Sequence, residues 1–164
     1  MPGSRRSLPA SALEREYSVK RNDTFNVLKN DETLNVGDKV RVDLYLHLPA
    51  DKSFVVVSDY LPGCFEPINT ALNESLGLEN NFIYEKDSYK NTKTFWNEYG
   101  FYFNELLHDK AKFYSEYLPA GNYHLSYMVQ VVSKGEFLSL GTHAEEMYNE
   151  DVFGKARSIK VRVR

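Results

Sequence analysis

The sequence predicts an all-β protein with the fold of an antiparallel β-sandwich. Leu72–Leu78 could form one short helix within it. Three observations carry this prediction. Several segments alternate apolar and polar residues, and turns rich in Pro, Gly and Asn separate them. Aromatic residues make up 14% of the chain, including 12 Tyr and 10 Phe, and large rings pack well across strands. A chain of 164 residues is also long enough to bury a core without disulfides.

The clearest strand is Lys39–Leu48, in which every second residue is apolar and the residues between them are polar. This period of two is typical of a half-buried strand. Phe54–Val57 is a short continuous apolar run, which predicts a buried strand. We predict further strands at Ala111–Tyr117, Tyr123–Ser133, Glu136–Leu140 and Ser158–Val163.

Residues 1–13 lack a clear period, and Met1–Ser4 resembles an expression tag. We therefore divide the chain into a tag or linker at residues 1–13 and one domain at residues 14–164. Phe95–Phe103 is dense in aromatic residues, and we interpret it as core or interface packing.

Charge and motif content exclude several classes of function. With 20 basic and 23 acidic residues, the net charge of −3 does not fit a nucleic-acid binder. No apolar run reaches the roughly 18–20 residues of a membrane span, and no apolar stretch follows Arg5 and Arg6 as in a signal peptide. The four histidines lack zinc-ligand spacing. We predict no metal, no cofactor and no catalytic residue. We also predict that Lys160 and Arg162 lie on the solvated face of an edge strand.

Cys64 is the one cysteine of the chain. It begins Cys64-Phe65-Glu66-Pro67, which is close to the Cys-x-Glu-Gln from which internal thioesters form. Pro67 has no side-chain amide, so no acyl donor exists here and a thioester cannot form. We therefore predict that Cys64 is a small core residue with low thiol reactivity.

Four motifs carry a family resemblance. Asp59–Leu72 resembles a segment that reads approximately Asp-x-Leu-Pro-Ala-Gly-Phe-Glu-Pro-Val-Asn. His108–Phe113 is similar to an acidic–basic–apolar run, and Tyr117–Tyr123 to a Leu-Pro-x-Gly turn. Ala144–Gly154 resembles Ala-Glu-x-Met-Tyr-x-Pro-x-Val. In this order, across residues 37–163, they resemble the C-terminal macroglobulin-like domain (MG10, receptor-binding type) of bacterial alpha-2-macroglobulins.

The resemblance implies a function. The parent would be a periplasmic protease trap, with or without a lipid anchor, in which target proteases cut a bait region and an exposed thioester captures them. That thioester lies in another domain of the same chain, and the C-terminal domain, which is not an enzyme, packs over it. Tyr148, with Met147 beside it, matches the position that shields the thioester from water.

Two departures and two other hypotheses accompany this prediction. Cys64 occupies a slot that is glycine in the family, and Glu150 or Asp151 replaces a proline.

The first alternative is a free-standing β-sandwich binding module for a glycan or protein partner, with Phe95–Phe103 as its platform. The second is an enzyme with a site built across loops.

Overall fold

The computed structural model describes residues 12–68, 83–85 and 103–164, and every regular element within these ranges is a β-strand. The strands are β1 Ala12–Arg21, β2 Thr24–Val27, β3 Lys39–Leu48, β4 Lys52–Tyr60, β5 Phe65–Pro67, β6 Ile83–Glu85, β7 Phe103–Leu106, β8 Lys110–Leu118, β9 Gly121–Val131, β10 Gly135–Ser139, β11 Thr142–Glu146, β12 Asn149–Ala156 and β13 Ile159–Val163. The predicted helical turn at Leu72–Leu78 and residues 95–102 of the aromatic segment lie outside the described ranges.

The strands form two large sheets and one small sheet. The first sheet has the order β2-β1-β3-β9-β5, and β6 also pairs with β9. The second has the order β12-β11-β4-β8-β7, and β10 pairs with β13. All of these strand pairs are antiparallel. The prediction of an antiparallel β-sandwich is therefore confirmed.

The core lies between the two large sheets. In β3 the apolar positions are fully or almost fully buried, as the alternation predicts. Leu44 is aligned with Leu125 of β9, and the facing sheet contributes Val57 and Phe113, which are paired between β4 and β8. Burial of such side chains stabilises the fold by about 1.5–3 kcal/mol each.

Strand β1 is an element that the alternation did not reveal. Its inward-facing positions include Arg15, which breaks the apolar pattern between Leu13 and Tyr17. Leu13 is buried in the core, so residues 12 and 13 belong to the folded sheet, whereas residues 1–11 lie outside the described ranges. Asn22 and Asp23 form the β1–β2 turn with φ of 49° and 64°, as a type I′ hairpin requires.

The C-terminal strand matches its prediction. Lys160 and Arg162 are exposed and face Glu136 of β10, at 3.9 Å and 3.2 Å, while Val161 and Val163 are buried. The described residues contain no helix that is long and apolar enough to cross a membrane.

Candidate functional site

The β11–β12 hairpin presents Met147 and Tyr148 at its end. Glu146 pairs with Asn149, so these two residues make the turn. Neither has a positive φ, so the turn is not one of the mirror-image types that most two-residue hairpins use. The β11–β12 pairing shifts its register on both sides of Glu145, next to this turn. Met147 is 50% exposed and Tyr148 is 81% exposed.

Phe54 of β4 contacts both turn residues. Its ring meets that of Tyr148 edge to face, with centroids 5.0 Å apart and an interplanar angle of 86°. Its carbonyl oxygen accepts a hydrogen bond of 2.8 Å from the backbone N–H of Met147. Phe54 is itself 44% exposed. We call Phe54, Met147 and Tyr148 together the aromatic tip.

The backbone of Phe54 is strained. Its φ is +52°, a region that costs an L-residue about 1–2 kcal/mol. An edge-to-face aromatic pair contributes about 0.5–1.5 kcal/mol, and a hydrogen bond about 0.5–1.5 kcal/mol. The two contacts of Phe54 are therefore of the size needed to offset the strain.

The base of the aromatic tip is tied to β4. Val55 pairs with Glu146 at the end of the β4–β11 ladder, and Lys52 Nζ lies 3.2 Å from a carboxylate oxygen of Glu146. The two side chains are 27% and 24% exposed, and an ion pair that reaches solvent contributes at most about 1 kcal/mol. The strand pairing thus fixes where the hairpin lies, and the ion pair adds little to its stability.

A buried polar cluster anchors the other end of β11. Asp59 accepts hydrogen bonds of 2.6 Å from Arg15 and from Thr142, the first residue of β11, and a further bond from the hydroxyl of Tyr127. Burial acts to lower the pKa of Arg15, but the neighbouring Tyr17 and Asp59 outweigh it, and the pKa is raised. Burial, with Asp59 beside it, raises the pKa of Tyr127 well above its usual value. The raised pKa keeps the guanidinium of Arg15 charged within the cluster.

The family model of the bacterial alpha-2-macroglobulin MG10 domain matches residues 12–151. The chain belongs to this family. The resemblance seen in the motifs is therefore confirmed, and the aromatic tip lies within the matched region.

Solved structures show the same fold for this MG10 domain. A Salmonella alpha-2-macroglobulin mutant superimposes with a TM-score of 0.67 at 18% identity, covering 96% of this chain and 9% of that chain. Native Escherichia coli alpha-2-macroglobulin, from domain MG7 to the C-terminus, gives a TM-score of 0.64 at 19% identity, covering 93% and 23%. The MG10 domain thus spans a small part of each of these chains.

One similar protein is not named as an alpha-2-macroglobulin. Circularly permutated Ras protein 2 of Dictyostelium discoideum is 24% identical over 152 residues, which are 91% of this chain and 3% of that protein. A sequence similar to this MG10 domain therefore also occurs as a small part of a long protein outside the bacteria.

Cys64 of the MG10 domain is a core residue, as its sequence context predicts. Its side chain is fully buried, and its backbone oxygen accepts a 2.8 Å hydrogen bond from Val132. Burial raises the pKa of the thiol to about 11, so little reactive thiolate forms near neutral pH. Among the described residues no group of three or more His, Cys, Asp or Glu side chains is placed to hold a metal ion.

A second polar cluster lies on the outer face of β3. Asp43 is fully buried there, with His124 Nε2 at 2.7 Å and Arg41 Nε at 2.9 Å. Tyr45 stacks on His124, with ring centroids 4.6 Å apart. Burial acts to raise the pKa of Asp43, but the hydrogen bonds from His124 and Arg41 outweigh it, and the pKa is lowered. His124 and Asp43 are 81 residues apart in the chain and meet only through the β3–β9 register, so the sequence does not reveal their contact.

Proposed function

We propose that this MG10 domain is the non-catalytic C-terminal domain of an alpha-2-macroglobulin-like protease trap. It packs over a thioester in another domain of its parent chain, with Tyr148 and Met147 at the contact. The observation that carries the proposal is the 81% exposure of Tyr148 at the end of a hairpin. Single exposed apolar residues are ordinary, whereas a contiguous exposed cluster marks an interaction site, and the aromatic tip is such a cluster.

The chemistry of a thioester explains why such a tip is useful. Water and amines attack its carbonyl carbon, so the group survives only where both are excluded. A tyrosine ring is large and rigid, and its hydroxyl can form a hydrogen bond at the edge of a dry contact. The parent would act on target proteases in the periplasm, and this domain alone would neither cleave nor inhibit them.

The test is the reaction of the full-length parent with methylamine, which consumes the thioester. Loss of about 1.4–2.8 kcal/mol from the closed contact raises the open fraction ten- to a hundredfold. We expect Tyr148→Ala to accelerate the reaction by that factor. The control is Val27→Ala, which also shortens an exposed apolar side chain but lies on β2 of the other sheet. An unchanged rate in Tyr148→Ala would contradict the shielding role.

A second candidate is a β-sandwich binding module in a different kind of parent. The match to a Dictyostelium protein, of which this chain spans 3%, favours it. The two candidates differ in what precedes the domain in the gene. A protease trap requires an upstream Cys-x-Glu-Gln and a bait segment. A parent without the thioester sequence would favour the binding module, in which the aromatic tip would contact a different partner.

A further inference from the structure

We propose that Phe54 is a positioning residue that holds Tyr148 in place on the aromatic tip. The purpose of this arrangement rests on the proposed shielding function, because a shield must point in one direction. The contact itself is a property of this chain, and it can be tested without the parent.

Tyr148 has little packing available to it. With 81% of its surface exposed, the ring receives little support from the body of the sandwich. The ring contact that the structure gives it is the edge-to-face pair with Phe54. An aromatic partner fixes the direction of a ring, because the edge of one ring prefers the face of the other.

Phe54 has an unusual backbone conformation, with a φ of +52°. Glycine is the residue that adopts a positive φ without steric strain, and a bulky side chain in this region is an outlier. The positive φ does not accompany a change of register between β4 and β8, because Ser53 pairs with Tyr117 and Val55 with Ser115 in the same alignment. Strain of this kind points to a functional role for the strained residue. The role available to the ring of Phe54 is its contact with Tyr148.

Phe54 contacts the two residues of the turn through different groups. Its carbonyl oxygen binds the N–H of Met147, and its ring contacts the ring of Tyr148. The hairpin turn is thus attached to β4 at two points through one residue. The backbone bond survives any substitution at Phe54 that keeps its φ, whereas the ring contact requires an aromatic side chain.

The experiment is nuclear magnetic resonance of this chain with assigned Phe and Tyr rings. In the wild type we expect nuclear Overhauser effects between the rings of Phe54 and Tyr148. We also expect the order parameter of the backbone N–H of Tyr148 to be near the rigid value of about 0.85. Phe54→Gly should abolish the effects and lower the order parameter below about 0.6. Its thermal midpoint should change by less than about 4 °C, because glycine relieves the strain as the contact is lost. Phe54→Tyr should restore the ring contact and the order.

Two further variants keep the result interpretable. Val27→Gly removes an exposed apolar side chain from β2 and should leave Tyr148 unchanged. If Phe54→Gly does not fold, Phe54→Leu retains bulk without a ring and should also loosen Tyr148. An ordered Tyr148 in the folded Phe54→Gly or Phe54→Leu variant would overturn the proposal.

The full-length parent separates this inference from the shielding function. Phe54→Gly should accelerate the methylamine reaction, but by a smaller factor than Tyr148→Ala. If Tyr148→Ala accelerates the reaction and Phe54→Gly does not, positioning by Phe54 is wrong. If neither variant changes the rate while Phe54→Gly still loosens Tyr148, shielding fails and the positioning role stands.

Discussion

Asp59→Asn removes one charge from the buried cluster with almost no change of shape. The carboxylate of Asp59 is fully buried and lies 2.6 Å from Arg15, whose side chain is also almost fully buried. The amide oxygen of asparagine can still accept the hydrogen bonds that Oδ1 receives from Arg15 and Thr142, but the NH2 group in place of Oδ2 cannot accept the one from Tyr127. Arg15 would then be a buried cation without a counter-charge, although carbonyl oxygens of Leu140 and Arg157 remain bonded to it.

The expected loss is large for a single substitution. Removal of one partner from a buried ion pair destabilises a protein by about 3–5 kcal/mol. Domains of this kind unfold with a free energy of about 5–15 kcal/mol. At about 2–4 °C for each kcal/mol, the thermal midpoint should fall by roughly 6–20 °C. The measurement is urea or thermal unfolding followed by far-ultraviolet circular dichroism.

The matched control is Glu136→Gln, the same carboxylate-to-amide change in an exposed ion pair. Glu136 lies 3.2 Å from Arg162, and both side chains are more than half exposed, so the loss should stay below about 1 kcal/mol. The double variant Arg15→Met, Asp59→Asn should lose less than Asp59→Asn alone, since it no longer buries an unpaired cation. A loss below about 1 kcal/mol in Asp59→Asn would refute the view that the ion pair organises this end of β11.

Two further predictions concern Cys64 and Asp43. In the native protein Cys64 should react with a thiol reagent far more slowly than free cysteine, because burial raises its pKa to about 11; Cys64→Ala should cost about 1 kcal/mol, and a native rate equal to that of free cysteine would show an accessible thiol. The pKa of Asp43 is lowered in the folded state from an ordinary value of 3.8, so its contribution to stability is present above about pH 4 and is lost as the pH falls through the folded-state pKa. Asp43→Asn should therefore flatten the acid limb of the free energy of unfolding measured between pH 5 and pH 2, whereas Asp23→Asn, at a fully exposed carboxylate, should leave the limb as in the wild type.

The sequence by itself determined the fold class and most of the long strands. Period-two alternation reports which face of a strand is buried, and it is a local property, so β3 could be placed with its observed bounds. The missing glutamine after Glu66 excluded a thioester at Cys64 without any structure. The motif at Ala144–Gly154 singled out Met147 and Tyr148.

Only the tertiary structure decided which distant residues meet. Phe54 was predicted to be the first residue of a buried strand, yet it is exposed, has a positive φ and contacts Tyr148. Arg15 and Asp59 belong to different sheets and become partners only when the sheets pack. Alternation cannot specify such pairs, because strand order and register depend on how the whole sandwich closes. An unusual φ depends in the same way on contacts that lie outside its own strand.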